Sequence, residues 1–241
     1  MRVVSACFVL VLFLGAVVAQ KQKPWIEWSK KDVEKTLNDS AWGQTQTEGE
    51  QPQSSGSQSA ITQVASQGGA DIRRQGESGE TKPSMMVKYH VRFLSAKPVR
   101  AAFARMVMLA KPQADDALTT QLQGFVDRDF SDYIVVSVGI EVGDQKMAPP
   151  LLRAFTGATT EALKNNVYLE RKDGKKLSLM EYRAPAEDGM GAKFVFSRQL
   201  EGQPFLTEND SVRFVAQMNE RMKINTRYKL SDMLYDGKLE Y

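Results

Sequence analysis

Sulfur and imidazole are scarce in this chain: among its 241 residues, Cys7 is the one cysteine and His90 the one histidine. A single cysteine excludes intrachain disulfides and thiolate metal clusters, and a single histidine leaves too few nitrogen ligands for a typical zinc site. A Ser-His-Asp triad would have to use His90. However, Val135-Val136-Ser137-Val138-Gly139 lacks the first glycine of a nucleophile elbow, and no Ser-x-x-Lys pair replaces the histidine. Gly189-Met190-Gly191 lacks the third glycine of a dinucleotide fingerprint, and there is no P-loop. No cofactor is expected. Charge of one sign is also lacking, with 32 basic residues against 29 acidic ones and a net charge of +3. No block along the chain is strongly basic, whereas phosphate-backbone binding needs concentrated positive charge, so nucleic acid is not an expected partner.

Long apolar runs are equally few. The only one, Val3 to Val18, follows Arg2 and ends in Val17-Val18-Ala19. It has the layout of an export signal cleaved after Ala19, and it is shorter than the roughly 20 apolar residues of a membrane span. Cys7 precedes the apolar stretch instead of following it, which argues against a lipoprotein signal. The expected product is a cysteine-free periplasmic or extracellular chain without a transmembrane span, stabilised by an ordinary core.

Composition divides the remainder. Residues 43–84 hold 8 Gln, 7 Gly and 7 Ser and no aromatic residue, too little apolar surface to offset backbone entropy, so a disordered linker is expected there. Residues 85–241 are long enough for one self-sufficient domain. Ahead of the linker, residues 20–42 carry all three tryptophans, Trp25, Trp28 and Trp42. Ser29 followed by Asp32 reads as a capping arrangement, with Trp28 and Val33 as a hydrophobic staple and Val33, Leu37 and Ala41 on one face. The resulting short helix, closed near Trp42-Gly43, must dock on something. Its own domain is one surface; an envelope protein gripped by the indoles is the other.

This segment resembles a group of uncharacterised secreted bacterial proteins in which Trp-x-x-Trp-Ser-Lys-Lys-Asp leads to Leu-Asn-Asp-Ser-x-Trp. Here those residues are Trp25 to Asp32 and Leu37 to Trp42. Some proteins of that type are described as GWxTD-domain proteins, although no Gly-Trp-x-Thr-Asp string occurs in this chain. The resemblance implies bacterial export and an unassigned role, and it transfers no catalytic residue.

In the compact region the periodicity predicts a strand over Met86 to Leu94. A helix from Pro98 follows, with Val99, Phe103, Met106 and Ala110 on one face, then a second helix with a Leu118, Leu122, Phe125 stripe. Tyr133 to Val142 reads as a strand, and a helical stretch is expected between Leu151 and Asn165. Asp173-Gly174 marks a hairpin between 167–172 and 175–182. Strands over 193–198, 212–218 and 222–230 and a turn at Asp236-Gly237 complete an α+β domain with mainly antiparallel sheet; a β-sandwich with a helical insertion is the alternative.

Three constellations could carry function. Asp127, Asp129 and Asp132 cluster where the second helix ends, but without the glycine and terminal glutamate of a calcium loop. His90 lies between Lys88 and Arg92 on a polar strand face. Pairing Met218 with Met222 places Arg213 opposite Arg227, and facing like charges call for a neighbouring carboxylate, for water, or for a bound anion. The expectation is therefore an exported, non-catalytic binding or structural protein of the bacterial envelope, with Trp25, Trp28 and Trp42 as binding residues and Arg213 and Arg227 as an anion site. A hydrolase using paired carboxylates is the alternative.

Overall fold

The computed structural model describes residues 23–49, 86–111, 113, 115–143 and 148–241. The expected leader, 1–19, and all of the expected linker beyond Gly49 lie outside the described residues. The fold is α+β with mainly antiparallel sheet.

Alternation of apolar and polar residues builds the first sheet. Its order is β1 (Gly43–Glu48), β2 (Val87–Phe93), β3 (Tyr133–Val142), β7 (Ala192–Ser197) and β6 (Glu181–Arg183). The second sheet runs β11 (Lys223–Lys229), β10 (Ser211–Gln217), β4 (Val167–Arg171) and β5 (Lys176–Ser178). Small hairpins β8 (Gln199–Leu200) with β9 (Gln203–Pro204) and β12 (Leu234–Tyr235) with β13 (Lys238–Leu239) complete the strands. The two main sheets face each other across an aromatic core. Phe93 meets Tyr228 edge-on with ring centroids 4.8 Å apart, and Phe194 and Phe214 are 5.3 Å apart. Tyr228 also donates its hydroxyl to the Val91 carbonyl at 2.9 Å, so one ring supplies both apolar area and a cross-sheet hydrogen bond.

Both seams between the sheets are closed. On one side β5 leads directly into β6: Leu179 still donates to Val167 of the second sheet, and Met180 already donates to Val195 of the first. On the other side, side-chain amides of β1 take the place of a backbone ladder. Gln46 donates to the Lys223 carbonyl at 2.9 Å and accepts from the Asn225 amide at 2.7 Å, while Gln44 donates to the Arg227 carbonyl at 2.6 Å. Edge strands that would otherwise invite aggregation are thereby occupied.

This arrangement corrects the expected linker boundary, because residues 43–48 form strand β1, paired along its length with β2. Composition hid the strand because its Gln and Thr side chains make hydrogen bonds instead of burying area. The tryptophan segment is likewise part of the body and not an appendage. A 3-10 turn at Trp25–Glu27 leads to α1 (Lys30–Asn38), which begins with the expected Ser29/Asp32 capping box. The helix ends at Asn38, short of Trp42-Gly43, since Gly43 instead crosses so close to Leu37 that a Cβ would collide with its carbonyl. Val33 and Leu37 are buried, and α1 packs on α2 (Lys97–Ala110), β1 and β2.

Helix α2 buries Val99 and Phe103 as expected, but Met106 and Ala110 are exposed; Val107 and Met108 turn toward the core instead. Helix α3 (Asp116–Val126) is capped by Asp115, buries Leu122 and Val126, and leaves Leu118 and Phe125 partly buried. The expected helical stretch is two pieces, α4 (Ala148–Thr156) and α5 (Thr160–Leu163). Pro149 and Pro150 fall within the first turn of α4, where no intrahelical donor is required.

Gly191 opens β7 with φ +83°, and a Cβ there would press into the Val138 carbonyl and the Gly139 amide of β3. Gly191→Ala combines left-handed strain with a backbone collision, so a loss on the order of 3 kcal/mol is expected in a urea titration.

Candidate functional site

Strand alternation assembles a cationic surface on the outer face of the second sheet. In β11, Ile224, Thr226 and Tyr228 point inward, leaving Lys223, Asn225, Arg227 and Lys229 exposed. The ladder pairs Arg213 with Arg227 as expected, and it also pairs Arg213 with Glu170 and Glu170 with Lys176. One cross-strand row therefore reads Arg227, Arg213, Glu170, Lys176, with three cations and one acid. Lys229 and Lys172 flank Ser211 in the adjacent row, since Lys172 donates its amide to the Ser211 carbonyl.

Glu170 is the carboxylate that answers part of the like-charge conflict. Arg213 donates to it through Nε at 2.9 Å and through Nη2, and these hydrogen bonds, with the positive field of Arg213, Lys176 and Arg227, hold its pKa below the usual range. Lys176 Nζ stands 3.9 Å from Glu170 and 4.3 Å from the centroid of the Tyr168 ring. One acid cannot neutralise three cations. Among the described residues, neither Arg227 nor Lys172 has a carboxylate within 4.0 Å; Lys172 Nζ donates to the Asn209 carbonyl instead.

These two unpaired cations border a shallow concavity of about 250 Å³, lined also by Glu170, Arg171, Gly174, Ser211 and Arg213. The Asp173-Gly174 turn forms one wall, with Gly174 at φ +84° and Asp173 accepting from Arg171 Nε at 3.0 Å. Arg213 and Arg227 were legible as a pair from the register, whereas Lys172 and Arg171 reach the site through β4 and its hairpin. Counting charges along the chain missed this surface because its cations occupy alternate positions of several strands.

The tryptophans are engaged internally. Trp25 and Trp28 are each 9% exposed; the Trp28 indole donates to the Lys23 carbonyl at 2.9 Å, and Arg105 Nε donates to the Trp28 carbonyl at 2.7 Å. Trp42 donates to the Glu240 carbonyl at 2.8 Å and meets Tyr235 edge-on. Trp28 and Trp42 border a concavity of about 280 Å³ and Trp25 does not, so the three indoles do not form one outward-facing anchor.

His90 has more partners than its strand position foretold: Nδ1 lies 3.0 Å from Thr45 Oγ1 and Nε2 lies 3.1 Å from Glu141 Oε2. Hydroxyl, imidazole and carboxylate are in contact, but Thr45 also donates to the Asn38 carbonyl at the end of α1, which makes the chain of contacts a brace between helix and sheet. Burial and the Arg92 charge push the His90 pKa below its ordinary value against the opposing pull of Glu141, with Lys88 lowering it slightly further. A histidine that titrates lower in the folded than in the unfolded chain stabilises fully above about pH 6.5, and that contribution is lost as pH falls through its folded pKa. Stability is therefore expected to fall as pH drops below about 6.5, and His90→Gln to flatten that slope, as read by urea midpoints at a series of pH values.

Two of the three aspartates after α3 are held locally. Asp127 pairs with Lys97 at 2.7 Å, and Asp129 accepts from the Ser131 amide and hydroxyl. Among the described residues no group of three or more Asp, Glu, His or Cys side chains is arranged to hold a metal ion, and no helix is long and apolar enough to cross a membrane.

No family model, curated protein or solved structure matches this chain.

Proposed function

We propose that this is an exported, non-catalytic binding protein of the bacterial cell envelope and that its working surface is the cationic outer face of the second sheet, which engages an anion-bearing partner. The carrying observation is the row Arg227, Arg213, Glu170, Lys176 beside a concavity bordered by two cations that have no carboxylate partner among the described residues. A surface of this kind attracts polyanions through screened long-range forces and holds them by displacing their counterions. Export rests on the leader-like run at the N-terminus.

Carboxyl chemistry favours this reading over a hydrolase. General-acid catalysis by a carboxyl group requires a raised pKa. Hydrogen bonds and neighbouring cations displace Asp32, Asp127, Asp129, Glu141, Glu170, Asp173, Glu181, Asp188 and Asp232 downward, which makes these nine unsuited to the acid role.

Retention of the full chain on a sulfated polysaccharide such as heparin, followed through a salt series, tests the proposal. The protein should be retained at low salt, and Lys172→Gln with Arg227→Gln should reduce the slope of log affinity against log salt by about 1 per cation removed. Absence of retention at low salt, or an unchanged slope in the double variant, would contradict it.

A further inference from the structure

The outer face of the first sheet is covered unevenly. Helix α1 lies over β1 and β2, but the rows toward β6 open into a cavity of about 630 Å³, within the roughly 300–1,000 Å³ of small-molecule sites. Its floor is the cross-strand row Val135, Val195, Glu181. Phe125 and Phe130 wall it on the α3 side, and Met190 and Ala186 on the loop side. Two large apolar side chains stand at its mouth, Tyr133 at 45% and Met180 at 51% exposed. Concentrating exposed apolar area around one concavity marks a place where something apolar is received.

The polar groups of the lining define the occupant. Glu181 pairs with Arg183 at 2.7 Å and Asp188 with Lys193 at 2.6 Å, so these four need nothing from a ligand. Arg128 differs: among the described residues it has no carboxylate within 4.0 Å, and its guanidinium stands 5.6 Å from the centroid of the Phe130 ring at the edge of the cavity. A peptide strand would bring many backbone groups that need partners, whereas this lining offers one unpaired charge beside the two valines of its floor, with the Glu181 carboxylate already held by Arg183. We propose that the cavity binds a monoanionic amphiphile, a long-chain carboxylate whose alkyl chain lies along Val135 and Val195 and whose head group meets Arg128. This site is separate from the cationic face of the second sheet and does not depend on its role.

Fluorescence titration of the full chain with a dansyl-tagged undecanoate and its methyl ester tests the assignment. The acid should bind saturably and the ester about tenfold more weakly, the size expected for losing one charge-assisted hydrogen bond. Arg128→Gln should bind both probes with the weaker affinity. Tyr133→Asp combined with Met180→Asp should bind neither, with an unchanged circular dichroism spectrum, since both side chains are already half exposed. The proposal is overturned if the wild type shows no saturable binding, if acid and ester bind equally, or if the Tyr133/Met180 variant binds like the wild type.

Discussion

A chain restricted to residues 85–241 is expected to be unfolded or aggregated, although its composition alone reads as a complete domain. Removing the preceding residues strips Trp25, Trp28, Val33 and Leu37 from the core. At about 1.5–3 kcal/mol for each buried large apolar side chain, that loss is comparable with the roughly 5–15 kcal/mol net stability of a whole domain. It also uncovers the β2 edge that β1 occupies, and it removes Gln44 and Gln46 from the seam with β11. Circular dichroism and gel filtration of the fragment provide the check. A monomeric fragment that melts cooperatively at the temperature of the parent would show that the tryptophan segment is dispensable after all.

The second large effect is expected at Arg92. This side chain is 8% exposed, donates through Nε to the Leu37 carbonyl and through Nη2 to Asn38 Oδ1, each at 2.8 Å, and stands 5.4 Å from the centroid of the Phe103 ring. Burial pulls its pKa down to about 10, so it stays charged at neutral pH, with no carboxylate partner among the described residues. The C-terminal end of α1 supplies the counter-field, since Leu37 contributes one of the carbonyls left unpaired at a helix end. Arg92→Ala would orphan that carbonyl and open a cavity, and a loss of about 3 kcal/mol is expected in urea unfolding. Arg92→Lys should recover only part of it, because one ammonium cannot reproduce the fork that spans Leu37 and Asn38. A change within about 0.5 kcal/mol for Arg92→Ala, the range of ordinary surface substitutions, would refute this role.

Arg92 also marks the limit of what the sequence discloses. On β2 it occupies a polar position of the alternation, beside Lys88 and His90, and nothing local distinguishes it from a solvated surface residue. Its burial arises because α1, some fifty residues earlier, packs over that end of the sheet. Elements defined by local chemistry were legible: the Ser29/Asp32 cap, the alternation of β3, the Asp173-Gly174 hairpin, and the Met218/Met222 pairing that sets Arg213 opposite Arg227. Strand β1 was not, because a strand held by amide side chains has the composition of a linker. The clustered tryptophans were legible as anchors, but which surface they grip is a tertiary property. The cationic face was half legible, since register pairs its arginines while Glu170 and Lys172 come from another hairpin. The cavity of the first sheet, drawn from segments between Leu94 and Val195, left no trace in any one window.

Backbone amide shifts of the isotope-labelled full chain, followed while heparin is added, test most directly where this protein does its work. Perturbations are expected to centre on Lys172, Gly174, Ser211, Arg213 and Arg227, with the amides of Trp25, Trp28 and Trp42 unmoved. Shifts confined to the tryptophan segment, with the second sheet silent, would contradict it and return the binding role to the indoles.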